Sequence, residues 1–110
     1  MQRNQIMTDN SWIPVLEDEK LIEQSVRLVS PRGLSVLLIR KIKGEIYAIS
    51  NKCPHMGCPL RTGLLEGYIL TCPCHDWRFD IRTGEFLDAK EIMLPVYPVK
   101  IVDGMILVKI

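Results

Sequence analysis

Hydrophobic residues along this chain come in short runs, and none keeps the three-to-four spacing of an ordinary helix. Ser25–Val29 reads as a strand that stops at the turn Ser30-Pro31-Arg32-Gly33. Residues 34–40 (LSVLLIR) and 45–50 (EIYAIS) flank Lys43-Gly44, which resembles a hairpin. Residues 97–102 and 105–110 repeat that design about Asp103-Gly104. Between the two hairpins lie residues 64–71, with Gly67 near their middle, then residues 77–80 and the turn Arg82-Thr83-Gly84-Glu85. Residues 88–95 read as an irregular loop. Ahead of them all, residues 11–16 lead into the acidic Glu17-Asp18-Glu19-Lys20, either a loop or one helical turn. β-Branched and aromatic residues dominate these pieces, so the pattern predicts an all-β protein of short antiparallel strands, a small sandwich or barrel. Residues 1–11 are expected to be a flexible segment and residues 12–110 a single domain. A small subdomain at about residues 52–87 would be inserted between the hairpins of the base.

Composition narrows the setting. A chain of 110 residues with 47% hydrophobic and 25% charged residues is globular, with no case for wholesale disorder. Fourteen basic against thirteen acidic residues leave a net charge of +1, which gives no long-range attraction to nucleic acid or to an anionic membrane. The opening MQRNQIMTDNSW has no continuous apolar stretch, and no run is long enough to span a bilayer. A cytoplasmic address without membrane insertion is expected. In that compartment clustered cysteines bind metal or do redox work more often than they staple a fold.

The chemistry is concentrated in one place. All four cysteines and both histidines fall within residues 53–75, as Cys53-Pro54-His55-Met56-Gly57-Cys58 and Cys72-Pro73-Cys74-His75. Thiolate and imidazole are soft and intermediate donors, and each loop offers a cysteine and a histidine close together. A zinc ion held by Cys53, His55, Cys72 and His75 is one solution, but it leaves Cys58 and Cys74 without a role. A four-cysteine site leaves both histidines idle. There is no Gly-rich nucleotide loop after a βαβ unit, so no nucleotide cofactor is expected on this chain.

The pattern Cys53-x-His55…Cys72-x-x-His75 resembles the Rieske iron–sulfur family. The likeness covers both loops, CPHMGCPL and CPCHDWRFD, and the RTGEF turn, and extends more weakly from Trp12 to the terminal VKIVDGMILVKI. It implies a Rieske-like fold with an inserted cluster-binding subdomain and one [2Fe–2S] cluster. Cys53 and Cys72 would hold the inner iron, His55 and His75 the outer one. It further implies a disulfide between Cys58 and Cys74, which occupy the positions of the pair that clamps the loops in high-potential members. Those members follow the last histidine with Gly-Ser-x-Tyr, whose hydroxyls donate to sulfur; here Asp76-Trp77-Arg78-Phe79 stands instead, the ferredoxin and oxygenase style. Loss of such donors lowers the potential, so a midpoint below that of respiratory Rieske proteins is expected. Where relatives place a Gly-Pro loop over the cluster, this chain has Asp88-Ala89-Lys90.

The surroundings of such a cluster would be Met56 as an apolar cap, Gly57 approaching closely, Leu60 as a shield, and Trp77 and Phe79 as packing. Arg61, Arg78 and Arg82 are candidates for a docking rim. The resemblance implies a one-electron carrier, a Rieske-type ferredoxin working between a reductase and an oxygenase or other terminal acceptor. It would be an electron-transfer component of an oxidoreductase system and no enzyme by itself. The rivals are a small Rieske subunit of a nitrite-reductase-like assembly and, in another class, a zinc-stabilised interaction module.

Overall fold

The computed structural model describes residues 11–42 and 44–110. The flexible segment expected at the N-terminus thus lies outside the described residues apart from Ser11, and so does Lys43. Within them the chain runs β1 (Trp12–Glu17), a 3-10 turn (Asp18–Lys20), β2 (Ser25–Val29), a second 3-10 turn (Pro31–Gly33), β3 (Val36–Arg40) and β4 (Ile46–Ser50). It continues through β5 (Leu64–Glu66), β6 (Ile69–Thr71), β7 (Arg78–Asp80), β8 (Glu85–Phe86) and β9 (Ala89–Met93). The last strands are β10 (Val96–Tyr97), β11 (Val99–Val102) and β12 (Met105–Lys109).

These strands form three antiparallel sheets, ordered β1-β12-β11, β10-β4-β3-β2 and β5-β6-β7-β8-β9. None of the three closes into a barrel, so of the two expected architectures the sandwich is the one found. The middle sheet carries the arrangement. Every residue of β3 is buried, and its side chains alternate between two cores. Val36 and Leu38 pack with Ala48, Ile106 and Val108 toward the terminal sheet. Leu37 and Ile39 pack with Ile49, Leu60, Leu70 and Phe79 toward the five-stranded sheet. A strand buried on both faces has no polar side, which is why VLLI is an unbroken apolar run. The hairpin expected between β3 and β4 is present, with Val36 opposite Ser50 and Arg40 opposite Ile46.

Two readings need correction. Residues 88–95 are not an irregular loop, because β9 pairs with β8 through a register shift. Its Ala89 and Ile92 pack on the core while Lys90 and Glu91 stay exposed, a spacing that a bulge permits and simple alternation hides. Residues 97–102 are not one strand either. Pro98 separates β10, which pairs with β4, from β11, which pairs with β12. A proline lacks the N–H a ladder needs, so the chain changes sheets there. Residues 64–71 resolve into a hairpin turning at Gly67-Tyr68.

The five-stranded sheet is tied to the middle sheet by a polar joint. Tyr47 of β4 and Tyr68 of the β5–β6 turn both donate hydroxyl bonds to the Glu45 carboxylate, at 2.8 Å each. Burial, and then the carboxylate, push the Tyr47 hydroxyl up to about 12. The Arg82 guanidinium lies 4.3 Å from the Tyr68 ring and bonds both Asp80 oxygens, at 3.1 and 3.0 Å.

Candidate metal centre

The two cysteine loops share one backbone design. In the first, Cys53 N–H donates to the Cys58 carbonyl at 2.9 Å and Gly57 N–H to the Cys53 carbonyl at 2.7 Å. In the second, Cys72 N–H donates to the Trp77 carbonyl at 2.7 Å and Asp76 N–H to the Cys72 carbonyl at 3.1 Å. Each loop is thus closed by an i+5 and an i+4 contact on its leading cysteine. The turn requires positive φ at the fourth residue on, met by Gly57 (φ 74) and Asp76 (φ 60). An isolated bridge between Lys52 and Pro59 seals the base of the first loop.

This geometry sorts the donors by depth. Cys53 and Cys72 end up buried, at 2% and 1% exposure, in the core with Leu60, Leu70 and Phe79. His55 and His75 are exposed, their rings 4.7 Å apart and nearly perpendicular. The structure joins Cys58 to Cys74 across the loops, with their α-carbons 6.5 Å apart. The Cys72 sulfur lies with both of theirs inside a 4.8 Å grouping, a cysteine cluster consistent with an iron–sulfur site close by. The disulfide occupies two of those three sulfurs, which leaves Cys53 and Cys72 as the free thiols. Two buried thiols and two exposed imidazoles are therefore the donors left available.

Burial pushes the Cys53 thiol up, the neighbouring Cys72 thiol adds to the rise, and the backbone N–H groups of His55 and Met56 oppose it. A thiol so placed ionises readily only against a cation, as in metal ligation.

The surrounding residues take varied positions. Met56 is 71% exposed at the tip of the first loop, so it covers little. A β-carbon on Gly57 would meet nothing within 4 Å. Leu60 and Phe79 are fully buried. Trp77 is half-buried and crosses between the loops: it stacks on His55 at 4.4 Å and, nearly parallel, on Phe86 at 4.0 Å. The imidazole of one loop thus rests on an aromatic column rooted in the core. Of the proposed arginine rim, Arg78 lies 3.8 Å from Asp88 and Arg82 is engaged by Asp80.

Two further residues support the loops. Buried Asn51 accepts the N–H groups of Leu60 and Arg61 on Oδ1, at 3.0 and 2.9 Å, and donates from Nδ2 to the Ser35 hydroxyl at 3.1 Å. For Asn51, a polar residue two places before Cys53 was the only available signal. Gly63, expected from sequence as a turn glycine, does close a turn on the Leu60 carbonyl at 2.8 Å, but it also does more: a β-carbon there would sit 2.3 Å from the Thr71 carbonyl oxygen, so the strand entering the second loop approaches too closely for any side chain.

The comparisons with known proteins agree with this geometry. The Rieske [2Fe-2S] domain family matches residues 11–98, and the chain belongs to that family. The ferredoxin component of the naphthalene 1,2-dioxygenase/salicylate 5-hydroxylase systems of Ralstonia sp. is 37% identical, over 94% of this chain and 98% of that protein. The solved ferredoxin of carbazole 1,9a-dioxygenase from Nocardioides aromaticivorans IC177 superposes with a TM-score of 0.80 at 28% identity, covering 90% of this chain and 97% of that one. Cholesterol 7-desaturase of Hemicentrotus pulcherrimus is 35% identical over 72% of this chain, which spans only 17% of its length. No helix among the described residues is long and apolar enough to cross a membrane.

Proposed function

We propose that this chain is a one-electron carrier, a Rieske-type ferredoxin that passes electrons from a reductase to an oxygenase. The observation that carries the reading is the sorting of donors: two buried free thiols and two exposed imidazoles, brought together by two loops of one backbone design. That set suits a [2Fe–2S] cluster with Cys53 and Cys72 on one iron and His55 and His75 on the other. A single zinc ion would place ligands of opposite exposure on one small sphere, a poorer match to the depth difference. When bound, the cluster supplies a one-electron couple.

The remaining steps belong to the protein. Cys53 and Cys72 sit in an apolar wall that excludes water from the inner side. The Cys58–Cys74 bond clamps the loops, and the Trp77–Phe86 column fixes the His55 ring. The exposed His55/His75 edge is where a partner protein approaches, through a weak and short-lived contact suited to turnover. A cytoplasmic carrier, with no nucleotide bound by this chain, completes the proposal. Its support is the full-length match to ferredoxin components of dioxygenase systems.

The purified protein should be red-brown, contain two irons and two acid-labile sulfides per chain, and give a Rieske-type EPR signal when reduced. A colourless zinc protein sinks the reading. Cys53→Ser and Cys72→Ser should each abolish the colour. His55→Cys should retain some cluster with a shifted spectrum. Voltammetry should place the midpoint below the respiratory range, and co-purification with a large reductase would favour the fixed-subunit rival.

A further inference from the structure

The common design of the loops makes one difference between them meaningful. At the position of positive φ the first loop uses Gly57, whereas the second uses Asp76. A side chain in this region costs stability that glycine would not. Gln24 and Arg32 also have positive φ (62 and 51), and Asp103 (φ 51) offers the like-for-like comparison, but it precedes Gly104 in the β11–β12 turn. There Asp-Gly is ordinary two-residue hairpin chemistry. Asp76 is followed by Trp77 and has no such reason.

Its side chain has no structural work either. Asp18, Asp80 and Asp88 each face an arginine, but among the described residues no ion pair or side-chain hydrogen bond engages Asp76. It is exposed and directly follows exposed His75. Lys52 and Arg61 are exposed too, at the base of the first loop. The turn sets the backbone here in both loops, so what distinguishes the second is the free carboxylate that it carries where the first has none.

We infer that Asp76 selects the charge of the redox partner. Its carboxylate sets a negative group beside the imidazole edge, and favours an encounter surface that presents a lysine or arginine there. The inference rests on the electron-carrier reading above.

The test uses the reduced holoprotein and two small one-electron oxidants, cationic hexaamminecobalt(III) and anionic hexacyanoferrate(III), mixed by stopped flow. Each takes one electron from the protein, so the ratio of their rates reads the charge met at the exposed edge. Asp76→Asn should lower the cobalt-to-ferricyanide ratio by about threefold or more at low ionic strength, and the difference should collapse in about 0.5 M salt. Asp103→Asn makes the same change in net charge in another sheet and should leave the ratio alone. Asp76→Gly should change the ratio as Asp76→Asn does while raising the urea midpoint. An unmoved ratio in Asp76→Asn, an equal shift in Asp103→Asn, or a lower urea midpoint in Asp76→Gly overturns the inference. A wild-type protein without the Rieske signal defeats the carrier reading instead, so the two failures are told apart.

Discussion

The loop at residues 53–58 and the loop at residues 72–77 close on their leading cysteines with the same pair of hydrogen bonds, yet they are held from outside by different means. The first is secured by a polar hub, with Asn51 gripping the chain that leaves the loop at Leu60 and Arg61. The second is secured by aromatic packing, with Trp77 on Phe86 and buried Phe79 beneath. The reason lies in where each loop is rooted. The first leaves the middle sheet at β4 and returns as coil, so its backbone groups need a side chain to satisfy them. The second lies between β6 and β7, paired strands whose ladder already satisfies the backbone and whose residues face the core. One loop shape can therefore be supported by hydrogen bonds or by burial, according to what its flanks leave unsatisfied.

The contrast can be broken in stages. Removing the element the loops share should cost most: Cys58→Ala with Cys74→Ala opens a closure of 16 residues in sequence and should lower stability by about 3 kcal/mol in the chain-entropy model. Urea denaturation under oxidising conditions measures it. Next, Asn51→Ala attacks only the first loop. It takes the Arg61 N–H's Oδ1 acceptor and leaves the Leu60 N–H only the residue 51 carbonyl, at 2.7 Å, and should cost about 1–2 kcal/mol. Amide exchange should accelerate at residues 57–61 well before residues 72–77. An equal acceleration in both loops would mean that they are not separately supported.

Gly57→Ala imposes on the first loop the strain that the second already carries at Asp76. With nothing within 4 Å of the added carbon, the loss should be backbone strain alone, about 1 kcal/mol by denaturation.

The smallest effect concerns acid. Arg82 bonded to Asp80, just beyond the second loop, holds that carboxyl below its ordinary 3.8 against the opposing pull of burial. A depressed carboxylate stabilises the fold fully above its unfolded value and loses that contribution as pH falls through the folded one. The second loop's flank should thus loosen slightly below about pH 4, while Asn51, which does not titrate, keeps its hold on the first. Asp80→Asn should flatten this part of the pH profile of urea midpoints.

Much of this molecule was legible in its residues because the signals were local. The β3–β4 hairpin follows from two β-rich runs about one glycine, and the donor set from six soft ligands crowded into residues 53–75. The edge strand β9 was hidden because its bulged pairing with β8 puts Lys90 and Glu91 side by side on the exposed surface. The change of sheets at Pro98 was hidden because strand partners are chosen by distant chain. Asn51 looks unremarkable in sequence and matters through Ser35 and Leu60; Gly63 reads as a turn glycine, while its close approach to the Thr71 carbonyl is visible only in the fold.

The sequence by itself determined the candidate donors, their spacing and the family, since two cysteine–histidine loops of that form need no distant residue to be recognised. Only the tertiary structure decided which thiols are buried, which are joined, and how the His55 ring rests on Trp77. Depth and cross-loop contact depend on how three sheets pack about β3, and no local stretch of chain encodes that packing.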